Sequence, residues 1–165
     1  MSTRRRIASW AGVFVVLLAV PLVASVPGRG QSPVKRKTLS SGKYKAVVTF
    51  ATVRVPKDEA ESWWGGWFDK EQQEVVRSVR LSRGNEAVDV PISAIAGLAN
   101  VSQASLKSQP NGCRLLLRGG DGGASYHAQV TVTGTAITER VVRHGEFPEE
   151  RWEKTTYAYV PDDDR

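Results

Sequence analysis

Over 44–160 the apolar signal has a period of two rather than 3.6, which suits strands better than amphipathic helices. In 44–55, Tyr44, Ala46, Val48 and Phe50 share one face, and Val47, Ala51, Val53 and Val55 share the other. Apolar residues on both faces mark a central strand. The stretch 74–82 alternates as well, with Val75, Val79 and Leu81 on one face and Val76 among polar residues on the other. Arg83-Gly84-Asn85 is turn chemistry, and 86–90 returns as its hairpin partner. Residues 93–98 read as one helical turn or a buried crossing.

The pattern continues through 101–108, 113–118, 125–133, 137–143 and 153–160. Gln109-Pro110-Asn111-Gly112 is a hairpin turn in which proline presets one dihedral and glycine supplies a positive one. In 125–133 the alternation is clean: Tyr126, Ala128, Val130 and Val132 face one way, and Ser125, His127, Gln129 and Thr131 the other. About eight short strands joined by turns predict an all-β domain over 44–160, an antiparallel sandwich or barrel.

The first 25 residues follow a different logic. Arg4, Arg5 and Arg6 form a positive head, and 7–26 is free of charge. A basic head followed by an apolar run is what export machinery reads, and the arginines keep that end in the cytoplasm. As a signal peptide, the run ends at Pro21 and at Val23-Ala24-Ser25, small residues that suit cleavage after Ser25. As a signal anchor, the 20 residues from Ile7 to Val26 make about 30 Å of apolar helix, enough to span a bilayer. Both readings place the rest of the chain outside the cytoplasm, periplasmic or secreted, or anchored in the inner membrane. Residues 26–43 carry two prolines, three glycines and three serines, and read as a flexible basic linker; 161–165 reads as an acidic tail.

Charge narrows the function classes. The net charge of +6 is misleading, because residues 1–43 hold eight basic groups and no acid. From Tyr44 on, 15 basic residues face 17 acidic ones. A nucleic-acid-binding domain carries its positive charge on the fold, so no nucleic acid is expected as a partner. The single cysteine, Cys113, allows no internal disulfide. A disulfide-free exported domain points to a bacterial envelope, and an apolar-flanked lone cysteine reads as a buried small hydrophobe.

The most unusual stretch is Trp63-Trp64-Gly65-Gly66-Trp67-Phe68, four large aromatics around two glycines. Such rings present flat apolar faces to a sugar, a lipid interface or a protein; folded inward, they plug the end of the domain. A second aromatic group, Phe147, Trp152, Tyr157 and Tyr159, lies beside Glu146, Glu149, Glu150 and Glu153. Paired acids serve glycoside hydrolysis when set at the right separation.

Asp121 in the loop Gly119-Gly120-Asp121-Gly122-Gly123 is one carboxylate where calcium needs several oxygens. His127 and His144 have no metal-type spacing. Asn100-Val101-Ser102 has the form of a glycosylation acceptor. The sequence therefore assigns no catalytic residue, metal or cofactor. It predicts an envelope binding or interaction module with Trp63, Trp64, Trp67, Phe68 and Trp152 as contacts. Its partner would be a protein or glycan of the envelope, with the membrane added if the N-terminal segment is retained. The alternatives are a structural β domain without a ligand site and an envelope glycan hydrolase.

Overall fold

The computed structural model describes residues 34–56, 59, 62–66 and 71–158. The apolar N-terminal run, Trp67, Phe68, Tyr159 and the acidic tail lie outside the described residues. Among the described residues, no helix is long and apolar enough to cross a membrane.

The described domain is all-β and sandwich-like. One sheet holds β1 (Lys35–Ser41), β2 (Tyr44–Arg54), β3 (Gln72–Arg83) and β4 (Glu86–Val88) in that order. The other holds β5 (Val101–Gln109), β6 (Gly112–Gly119), β7 (Tyr126–Thr133), β8 (Ala136–His144) and β9 (Arg151–Thr156), also in chain order. Every pairing between neighbouring strands is antiparallel. Residues 92–94 and 122–124 form single 3-10 turns.

The inward faces of both sheets meet in one core. Tyr44, Ala46, Val48 and Phe50 of β2 pack with Leu115 and Leu117 of β6 and with Tyr126, Ala128, Val130 and Val132 of β7. The four β7 residues keep at most 2 % of their surface exposed, as the alternation predicts. Each fully buried leucine or valine in this core contributes roughly 1.5–3 kcal/mol of transfer free energy. The Tyr44 hydroxyl ties the sheets together by donating to the Gly134 carbonyl at 2.9 Å.

Three local readings of the sequence are corrected. Lys35–Ser41, which composition places in a linker, is edge strand β1, paired with β2 along its whole length. Its basic residues read as solvated chain, yet lysines are what protect an exposed sheet edge from further pairing. In β3, Val76 rather than Val75 joins Val79 and Leu81 in the core. Thr49 pairs with Ser78 and Phe50 with Val76, so Arg77 is an extra residue, and this bulge inverts the alternation on one side of it. Gly112 is not in the positive-φ region. It is a glycine because a Cβ there would strike the Val132 carbonyl.

Candidate functional site

The aromatic segment 62–66 connects β2 to β3 and is held by backbone pairing. Trp64 N–H donates to the Gly97 carbonyl at 2.8 Å, and Ala99 N–H donates to the Trp64 carbonyl at 2.9 Å. Gly65 turns the chain with a φ of 75°. A Cβ on Gly65 would lie 2.6 Å from Tyr126 Cε1 and 2.8 Å from the Ala99 carbonyl oxygen, so only glycine fits. Beside it, Asn100 donates from Nδ2 to the Gly65 carbonyl at 2.8 Å and to Gln73 Oε1 at 2.7 Å. That amide is engaged inside the fold, so the folded state does not present it as a glycosylation acceptor.

The backbone at 64–66 brings the two aromatic groups of the sequence together. The Trp64 and Trp152 rings stack with centroids 5.2 Å apart and planes 20° apart. His144 meets Trp152 edge-on at 4.7 Å, and Phe147 lies tilted against His144 at 5.0 Å. His144 Nδ1 accepts from the Glu146 and Phe147 N–H groups at 3.0 and 3.1 Å, fixing the turn that presents Phe147. Trp63, Trp64 and Trp152 are half-buried, while Phe147 is 50 % exposed. Tyr157 packs against the core.

Both carboxylate oxygens of Glu153 are engaged beneath this cluster. Its Oε2 accepts the Trp64 indole N–H at 3.1 Å, and its Oε1 accepts the Thr155 hydroxyl at 3.0 Å. Arg140 Nε lies 3.2 Å from the same Oε1, an ion pair too oblique for a hydrogen bond. Arg140 also donates from Nη1 to the Ser93 carbonyl at 2.6 Å. Glu153 therefore holds structure together. Glu146, Glu149 and Glu150 are exposed on the 145–150 turn. Asp121 accepts from its neighbour Gly122 N–H at 2.9 Å. Among the described residues, no group of three or more metal-ligating side chains converges.

Sequence reading missed a second surface. On the outer face of the five-stranded sheet, Arg118, His127 and Arg143 are cross-strand partners on β6, β7 and β8. They line a concavity of about 250 Å³ together with Leu116, Gln129, Glu139 and Val141. Burial, and then the neighbouring Arg118 charge, hold the His127 imidazole below its ordinary pKa. Strand alternation put His127 on the polar face; only the strand register reveals the two arginines flanking it.

No family model, no curated protein and no solved structure matches this chain.

Proposed function

We propose that this chain is an exported, non-enzymatic binding module of a bacterial cell envelope, whose contact surface is the aromatic end built from 62–66, β9 and the 145–150 turn. One observation carries the reading. Segments more than 80 residues apart in sequence converge on a stacked indole pair, and Phe147 stands half in solvent at its margin. Large rings with one face packed and an edge accessible suit the flat face of a sugar or an apolar side chain of a protein. The export reading is supported by the basic head and uncharged run of residues 4–26.

The competing structural reading is favoured by Trp64 itself, whose backbone is pinned to 97–99 and whose indole is hydrogen-bonded to Glu153. On that reading the stack closes one end of the sandwich and meets no ligand. Hydrolysis of a glycan has weaker support. The four concavities described hold at most one carboxylate each: Glu139, Asp89, Glu71 or none.

The test uses the exported protein and two probes, purified peptidoglycan sacculi and N-acetylglucosamine oligosaccharides, with a detergent extract of envelope proteins as a third. Binding is read by co-sedimentation and tryptophan fluorescence. Phe147→Ala and Trp63→Ala should weaken capture at unchanged thermal stability. A protein that ignores all three probes, or variants that bind as well as the parent, would leave the structural reading standing.

A further inference from the structure

The outer face of the four-stranded sheet carries a hollow of about 410 Å³ lined by Val34, Arg36, Val47, Thr49, Arg77, Ser78 and Arg80. Three of its seven lining residues are arginines and none is an acid. The ion pairs among the described residues join Lys35 to Glu74, Arg54 to Glu71, Arg83 to Glu86, Arg140 to Glu153 and Lys154 to Glu139, and none uses these arginines. The strand register explains how the cations converge. Arg36 lies opposite Thr49, which lies opposite Ser78; Thr38 lies opposite Val47, which lies opposite Arg80. Cations on β1 and β3 thus flank a floor of hydroxyl and valine on β2. The bulge in β3 adds Arg77 to the same hollow, and re-aiming a side chain is what bulges do at functional surfaces. By alternation, Lys45 extends the positive face.

We infer that this face docks on the anionic headgroups of a bilayer surface. Charge complementarity is the first argument: guanidinium groups pair with phosphate oxygens through two parallel hydrogen bonds, and Thr49 and Ser78 hydroxyls add donors. Reach is the second. Val34, 45 % exposed, sits on the rim of the hollow. Only residues 27–33 separate it from the uncharged run 7–26, and seven residues span at most about 25 Å when extended. If that run enters a bilayer, as the export reading in its anchored form holds and on which this inference rests, the tri-arginine face cannot leave the vicinity of the headgroups. Basic groups beside a membrane anchor are attracted to anionic lipid, each arginine contributing about fivefold to the ratio of docked to undocked domain. Docking also leaves the opposite sheet of the sandwich facing away from the membrane.

The test reconstitutes the full chain into phosphatidylcholine vesicles with and without phosphatidylglycerol. A fluorophore is placed on Thr38→Cys, exposed beside the hollow, or on Thr156→Cys, exposed on the other sheet. Native Cys113 is buried and does not compete for the label. Flotation reads insertion; quenching by headgroup-spin-labelled lipid reads docking, so the two readings fail separately. Docking predicts that the Thr38 label is quenched more strongly with phosphatidylglycerol than without it, while the Thr156 label shows no such difference. The docked-to-undocked ratio read from the phosphatidylglycerol-dependent quenching should fall about fivefold for each arginine replaced by alanine, and that quenching should disappear in Arg36→Glu/Arg77→Glu/Arg80→Glu and in about 1 M salt.

A chain that floats with an unquenched Thr38 label overturns docking alone. One that neither floats nor is quenched overturns both readings. Equal quenching in pure phosphatidylcholine, or release by millimolar inorganic phosphate at constant ionic strength, also overturns it, the latter in favour of a small-anion site.

Discussion

Asn100 and Gly65 are joined by a 2.8 Å hydrogen bond from the Asn100 amide to the Gly65 carbonyl, and the same amide reaches Gln73 Oε1 at 2.7 Å. Asn100 also accepts from the Glu74 N–H at 3.3 Å and adopts a φ of 49°, in the left-handed region that asparagine tolerates better than most residues. One side chain thus ties the aromatic connection to the start of β3 and to the approach to β5.

Asn100→Ala should therefore destabilise the domain by about 1–3 kcal/mol, because Gln73, fully buried, and the Gly65 carbonyl both lose a donor. The loss should be local as well as global. Tryptophan fluorescence in the variant should become more accessible to acrylamide before the main unfolding transition. Chemical denaturation and quenching on one sample check both parts. A variant as stable and as shielded as the parent would remove Asn100 from this role.

The Glu153–Arg140 pair should be far more sensitive than the other carboxylate pair of its sheet. The Arg140 side chain is 4 % exposed, so Glu153→Ala strands a buried cation and removes the acceptor of the Trp64 indole. Glu153 itself is 29 % exposed, so the loss should fall below that of a fully buried pair, at about 1–3 kcal/mol. Glu139→Ala, whose partner Lys154 is 45 % exposed, should cost under about 1 kcal/mol. Urea midpoints of the two variants give the comparison directly. Equal losses would mean that Arg140 finds another partner or water.

Most of the strands are legible from period two alone, because β2, β6 and β7 each turn a run of alternate apolar side chains into the core. β1 escapes this signal because only Leu39 among its residues packs against the core. Val75 and Val76 exchange faces because a bulge is a property of a strand pair, and Arg77 carries no local mark of it. The candidate sites are harder to read for the same reason. The Trp64–Trp152 stack depends on β9 lying beside β8, and the Arg118–His127–Arg143 row on the register across a loop rich in glycine. Residue types were readable in the sequence; adjacency between distant segments was not.

His127 should titrate below the ordinary histidine value of 6.5, with burial the larger cause and Arg118 the second. The folded state thus favours neutral imidazole, and the unfolded chain takes up its proton first as pH falls. The corresponding stability is complete above pH 6.5 and is lost as pH drops through the lower folded value. Arg118→Ala should raise the His127 pKa part of the way back, leaving the burial contribution in place. Proton NMR titration of the imidazole follows both. A value at or above 6.5 in the parent would show that solvent and anions screen the row.

Cys113 has none of its surface exposed, and burial pushes its thiol from 9.0 up to about 11. Only the thiolate attacks disulfides or alkylating reagents, so the native protein should not react with a disulfide reagent at pH 8 and should react fully once unfolded. The same shift has a consequence for alkaline stability. An unfolded thiol ionises near pH 9 while the folded one keeps its proton, so the contribution of this group is intact below pH 9 and is lost as pH rises towards 11. Tyrosines and lysines titrate in that range too, so the measurement is the difference between the parent and Cys113→Ala. The variant should be less stable at neutral pH, because a core position loses packing, and the gap should narrow between pH 9 and 11. A gap that stays constant would mean the thiol ionises alike in both states, which a side chain sealed between β5 and β7 does not allow.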